Sequence, residues 1–236
     1  MGEDNQEILK TGNQGISRRG FMKAAGTAAV GFGVTCSLPG IIWLENAVAA
    51  IPASEGYLLV DTKKCQGCVS CMLACSLVHE GKESLSLSRI QVIQNSFEGF
   101  PDDLTLEQCR QCVDPACVEA CPTGALHVDA DYGNVRRVEA KKCDGCKACI
   151  EACPYAPSRS VWNPGEKRAQ KCDLCAHAPY HWDPRGGGPK GKQACVEVCP
   201  VGAIKFTQEI PLQEGDKGYK VNLRDRNWGS LGYPIT

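Results

Sequence analysis

Cys143-Asp144-Gly145-Cys146-Lys147-Ala148-Cys149-Ile150-Glu151-Ala152-Cys153-Pro154 decides the reading of this chain. Its spacing, C-x2-C-x2-C-x3-C, recurs at Cys65, Cys68, Cys71 and Cys75. A second group runs Cys109-x2-Cys112-x4-Cys117-x3-Cys121, and a fourth Cys172-x2-Cys175-x19-Cys195-x3-Cys199. Pro follows Cys121, Cys153 and Cys199, whereas Ser76 takes its place in group one. Three cysteines this close let one tight loop set three thiolates around one face of a polynuclear centre. The fourth then sits on the following helix and points toward a neighbouring centre. Soft thiolates suit iron–sulfur clusters and zinc. Zinc sites pair two C-x2-C elements roughly a dozen or more residues apart, and only group four looks like that. A disulfide scaffold would crowd its thiols at these intervals. The spacing therefore reads as iron–sulfur.

Groups one and three match the bacterial ferredoxin run, whose fourth cysteine serves the other cluster of a pair. Of 17 cysteines, all but Cys36 fall into these groups of four, which implies four [4Fe-4S] clusters with no thiol left over. Every iron then has a thiolate and none is open to substrate, which favours electron transfer over catalysis by this chain. Cys172-Asp173-Leu174-Cys175-Ala176-His177 misses the C-x-x-C-H of covalent haem by one residue. His79, His127, His177 and His181 are not needed as ligands. Lys63, Lys64, Lys141, Lys142 and Lys171 adjoin first cysteines and are candidates, beside backbone N–H groups, to offset cluster charge. Trp162 and Trp182 read as packing or interface residues.

Lys+Arg 26 against Asp+Glu 27 leaves a net charge of −1 and no basic face for nucleic acid. Aromatics make up only 6%, so a large aromatic core is not expected and the clusters act as structural centres. Residues 1–50 read as a targeting segment. Ser17-Arg18-Arg19-Gly20-Phe21-Met22-Lys23 precedes an uncharged run from Ala24 to Leu44 and the small residues Ala47-Val48-Ala49-Ala50. This layout is that of a twin-arginine signal, cleaved after Ala49 or Ala50, and places the protein in the periplasm or on the extracytoplasmic face of the membrane.

Val60-Asp61-Thr62-Lys63-Lys64-Cys65 repeats as Val138-Glu139-Ala140-Lys141-Lys142-Cys143, and Cys121-Pro-Thr-Gly-Ala-Leu126 as Cys199-Pro-Val-Gly-Ala-Ile204, both at an offset of 78 residues. The chain is thus an internal duplication. Short strands are predicted at Tyr57–Asp61, Ile90–Ile93, Leu126–Asp129, Asn134–Glu139 and Ile204–Thr207. Short helices are predicted at Val69–Val78, Val118–Ala120 and Ala148–Ala152. The insertion in group four, with Pro184-Arg185-Gly186-Gly187-Gly188-Pro189-Lys190-Gly191-Lys192, reads as an exposed loop. The tail 208–236 has no pattern and reads as a loop or a strap for a partner.

Four such groups, with a long gap in the fourth, make residues 57–207 resemble the iron–sulfur electron-transfer subunits of complex molybdenum or tungsten oxidoreductases, the dimethyl sulfoxide reductase type. Cys75-Ser-Leu-Val-His79-Glu80-Gly81, followed by Leu87-Ser88-Arg89-Ile90-Gln91-Val92, is similar to ferredoxin subunits of tungsten aldehyde oxidoreductases. The resemblance implies an α+β fold of tandem ferredoxin-like units. One unit is formed by 51–108 with 154–207 and an inner one by 109–153, each with two clusters. The implied ligand sets are Cys65, Cys68, Cys71 and Cys199; Cys109, Cys112, Cys117 and Cys153; Cys143, Cys146, Cys149 and Cys121; and Cys172, Cys175, Cys195 and Cys75. It further implies a hetero-oligomer with a large pterin-containing catalytic subunit and a membrane quinone-reactive subunit or cytochrome. The alternative is an independent polyferredoxin serving a hydrogenase or another redox enzyme.

Overall fold

The computed structural model describes residues 51–233 and Ile235. The twin-arginine segment and Cys36 lie outside the described residues. The strands are β1 (Tyr57–Val60), β2 (Ile90–Gln94), β3 (Leu104–Gln108), β4 (Leu126–Asp129), β5 (Val135–Val138), β6 (Ser160–Asn163), β7 (Arg168–Lys171) and β8 (Ile204–Thr207). The helices are α1 (Ser70–Glu80), α2 (Ala116–Glu119), α3 (Ala148–Glu151), α4 (Ala194–Glu197) and α5 (Arg226–Ser230). Short strands and helices together make this an α+β fold.

The strands pair as four antiparallel ribbons, β1 with β8, β2 with β3, β4 with β5 and β6 with β7. The duplication is visible in these bounds: β1, α1, α2 and β4 reappear 78 residues later as β5, α3, α4 and β8. The strand entering the first half pairs with the strand leaving the second, Tyr57 opposite Thr207 and Val60 opposite Ile204. The strand leaving the first half pairs with the one entering the second, Leu126 opposite Val138 and Asp129 opposite Val135. Helix α1 packs on α4, and α2 on α3.

Predicted strands 126–129 and 204–207 match β4 and β8, and the other strands and α1 differ by one or two residues at an end. Helix α2 starts earlier than predicted, so Cys117 lies inside it rather than before it. Strands β3, β6 and β7 and helices α4 and α5 were not predicted.

The core is built on sulfur as much as on carbon. Leu58, Val60, Met72, Ile90, Leu106, Leu174 and Ile204 form one cluster with Cys65, Cys71, Cys75, Cys109, Cys172 and Cys195. A smaller cluster joins Leu126 and Ala169 to Cys117 and Cys149. The tail is no bare loop, since Lys220 forms a parallel bridge with Val60 of β1. Asp61 accepts hydrogen bonds from Leu223 N (2.8 Å) and Arg224 Nε (3.0 Å). The insertion in group four is only partly exposed, because Gly188 and Pro189 are buried. At Gly187 a Cβ would come within 2.4 Å of Cys175, so that stretch lies directly against group four.

Candidate iron–sulfur sites

The first C-x2-C pair of each group is curled by a left-handed residue two places after its first cysteine. These residues are Gly67 (φ 67°), Gln111 (φ 48°), Gly145 (φ 78°) and Leu174 (φ 57°). Left-handed backbone comes at no steric cost to Gly but strains Gln and Leu, so two of the four loops hold their turn through the surrounding structure. The turn aims backbone N–H at sulfur: Gly67 N lies 3.5 Å from Cys65 Sγ and Gln111 N 3.3 Å from Cys109 Sγ. The fourth cysteine of each group is served the same way. Arg89 N donates to Cys75 (3.4 Å), Leu126 N to Cys121 (3.3 Å), Arg159 N to Cys153 (3.3 Å) and Ala203 N to Cys199 (3.2 Å).

The electrostatics group the thiols. Burial pushes Cys71 up to about 12, and the next contributions are Cys65, Cys199 and Cys68. Cys112, at about 11, is raised by burial and then by Cys109 and Cys117, and Cys117 in turn senses Cys153. Cys149 reaches about 11 through burial, then Cys117, Cys143, Cys121 and Cys146. Cys195 is raised well above the ordinary thiol range by burial, then by Cys175, Cys172, Cys75 and Cys71. A cavity opens among Cys121, Cys143, Cys146 and Cys149, closed by Leu126, Val138 and Ala169. Among the described residues every cysteine is a free thiol, and no three His, Cys, Asp or Glu side chains converge on a single metal ion. Thiols that neighbour one another without converging fit a cubane, in which each iron takes one thiolate.

Exposure is uneven. Cys75, Cys172, Cys175 and Cys195 are all buried, while Cys68 and Cys146 are exposed. Of the five candidate lysines, only Lys171 is buried, its Nζ 3.5 Å from Cys117 Sγ. Lys63 pairs with Asp102 (3.1 Å) and Lys142 with Glu139 (2.8 Å), while Lys64 reaches Leu223 O (2.9 Å) and Lys141 is exposed. The histidines have partners other than sulfur: His177 with Asp129 (2.8 Å), His181 with Lys192 O (3.0 Å), His127 with Ala125 O (3.1 Å) and His79 with Asp173 (3.5 Å). Trp162 lies beneath Lys147 at 4.5 Å, and Trp182 stacks obliquely on His181.

Sequence reasoning missed the buried charges that surround the thiols. Arg89 pairs with Asp173 (3.0 Å), Arg110 with Asp216 and Arg159 with Glu107. Arg136 is also fully buried. The one available signal was position, since Arg110 and Asp173 each directly follow a first cysteine.

The comparisons with known proteins bear on the same residues. Residues 57–122 and 102–209 each match the family described as 4Fe-4S dicluster domain. The chain is 32% identical over 228 residues to the hydrogenase-2 operon protein HybA of Escherichia coli O157:H7, covering 86% of this chain and 66% of HybA. It is 41% identical over 143 residues to the polyferredoxin-like subunit of an aliphatic sulfonate oxidoreductase of Pyrococcus furiosus, covering 61% of this chain and 70% of that one. It is 32% identical over 178 residues to the electron transport protein HydN of Escherichia coli K12, covering 67% of this chain and 91% of HydN. The chain thus spans about two thirds of the length of HybA.

Proposed function

Because this chain belongs to the 4Fe-4S dicluster ferredoxin family and carries four [4Fe-4S] clusters, we propose that it is the non-catalytic electron-transfer subunit of an oxidoreductase complex. When bound, each cluster supplies reversible one-electron chemistry through its irons. The ligand sets we propose are Cys65, Cys68, Cys71 and Cys199; Cys109, Cys112, Cys117 and Cys153; Cys143, Cys146, Cys149 and Cys121; and Cys172, Cys175, Cys195 and Cys75. They are named below for the group that supplies three ligands. The mutual electrostatic neighbours of the thiols support these sets. The pairing of β1 with β8 and of β4 with β5 supports an outer ferredoxin-like unit around an inner one.

The observation that carries the reading is how the sites adjoin. Cys195 senses Cys71, Cys172 senses Cys109, and Cys149 senses Cys117. These links order the sites as group one, group four, group two, group three. The two exposed cysteines, Cys68 and Cys146, belong to the first and last sites of that order. A row whose group-four member is wholly buried and whose two ends carry exposed sulfur is a conductor between two partners. The protein's part is to hold the thiols, supply N–H groups to sulfur and exclude water from the interior sites.

We propose a pterin-containing molybdenum or tungsten subunit as one partner and a membrane quinone-reactive subunit or cytochrome as the other. The resemblance of residues 57–207 supports this, and the segment around Arg18-Arg19 supports export to the periplasm or the extracytoplasmic face of the membrane. The similarity to HybA favours a second reading, a polyferredoxin-type carrier serving a hydrogenase. Tagged full-length chain, purified anaerobically from its own cells, separates them. The first reading expects a stable hetero-oligomer holding stoichiometric molybdenum or tungsten. Recovery of the chain alone, or with a nickel enzyme, would replace it with the second.

A further inference from the structure

A buried cation costs several kcal/mol unless an anion lies beside it. Most buried guanidinium groups here have a carboxylate: Arg89 has Asp173 at 3.0 Å, Arg224 has Asp61 at 3.0 Å, and Arg110 and Arg159 pair with Asp216 and Glu107. Arg136 and Lys171 are at most 5% exposed and, among the described residues, pair with no carboxylate. Arg136 donates to Asn134 O (2.6 Å) and Val113 O (3.4 Å), and its Nε has no partner. Lys171 Nζ reaches thiols instead, Cys117 Sγ at 3.5 Å and also Cys109. Tyr57 apart, the groups whose negative charge would face both cations are the same three thiols, Cys109, Cys112 and Cys117.

The adjacent group-four site has the opposite surroundings. Asp173, buried between Cys172 and Cys175, neutralises the Arg89 guanidinium, and Glu80 lies 3.6 Å from that same group. One site thus holds two unbalanced positive charges, the other two carboxylates around a single cation.

We infer that Arg136 and Lys171 make the cluster of the group-two site the highest-potential centre of the four, the place where the first electron on this chain comes to rest. The inference rests on the ligand sets proposed above. Reduction adds one electron to a cluster, makes or breaks no bond in the protein and moves no proton. An unbalanced cation in a low-dielectric interior therefore favours the reduced state directly. A carboxylate beside the neighbouring cluster disfavours it. The two residues are positioning charges, not ligands.

The test is a dithionite titration of anaerobically purified full-length protein, followed by EPR, with iron measured in every sample. The first signal to appear on reduction of the wild type belongs to group two and is the one altered in Cys112→Ser. In Lys171→Gln its midpoint falls by at least a tenfold change in the one-electron equilibrium, about 59 mV. Arg136→Gln moves the same signal the same way, Lys171→Arg leaves it in place, and the signal of the group-three site does not move. If either glutamine variant loses iron, the other and Lys171→Arg still decide. Unchanged midpoints at full iron content, or a shift in a signal that Cys112→Ser leaves intact, would overturn the assignment alone. Wild-type iron short of four clusters would instead overturn the ligand sets beneath it.

Discussion

At the scale of single residues, sulfur geometry rests on a few backbone positions. Gly145 has φ +78°, and a Cβ there would lie 2.5 Å from the Lys167 carbonyl oxygen. Gly145→Ala is expected to lose on the order of 1–3 kcal/mol and to drop about one cluster's iron, read by thermal unfolding and iron assay. Gly124→Ala, at φ +64° with nothing within 4 Å, is expected to cost only about 1 kcal/mol and to keep all its iron. Burial holds the His79 imidazole down at about 4, the Asp173 carboxylate pulling it only part of the way back. The unfolded chain binds that proton near pH 6.5. Stability from His79 is therefore complete above about pH 6.5 and drains as pH falls toward 4, on the order of 3 kcal/mol in all. His79→Gln should flatten that limb in denaturant melts between pH 7 and 4. The cysteine spacing was legible because loop and ligand are local in sequence. Lys171 was legible by its place before Cys172, but not that it alone of the five lysines is buried, and Arg136 was not legible at all, because burial assembles its surroundings from distant segments.

Among the elements, the strands that leave the cysteine loops were the most legible. Strands β4 and β8 each begin on an apolar residue directly after a Gly-Ala turn, and both were predicted residue for residue. Arg168-Ala169-Gln170-Lys171 looks like surface, yet Ala169, Gln170 and Lys171 are buried beside the thiols in β7. Helix α1 ends where Gly81 (φ +66°) returns its N–H to Leu77 O at 2.9 Å. The tail was the larger surprise. Tyr219 is fully buried and donates its hydroxyl to Arg110 O (2.7 Å), while Asp61 anchors Leu223 and Arg224. No periodicity announces such a strap, since its partners lie more than a hundred residues earlier. Asp61→Ala removes the acceptor of the Leu223 N–H and the buried carboxylate beside Arg224, and a loss of about 3 kcal/mol is expected. Proteolysis after Thr207 should quicken in that variant, whereas an unchanged cleavage rate would show that the strap is not anchored there.

For the whole molecule, the duplication at an offset of 78 does two things. It builds the β1–β8 and β4–β5 ribbons by pairing one half with the other, and the fourth cysteine of each group is an electrostatic neighbour of thiols in the other half. Cys68 and Cys146 are exposed, and in the row we propose they belong to the terminal sites. Limited air exposure should therefore bleach the EPR signals altered by Cys68→Ser and Cys146→Ser before the one altered by Cys195→Ser. Burial keeps several thiols protonated at neutral pH in the absence of iron, Cys71 at about 12 among them. Loading the sites must therefore release protons. The most direct test of the central claim is iron and acid-labile sulfide per chain on anaerobically purified protein, with EPR during stepwise reduction. About 16 iron and 16 sulfide, with mutually interacting signals, is the result this structure requires. Zinc without labile sulfide would contradict it.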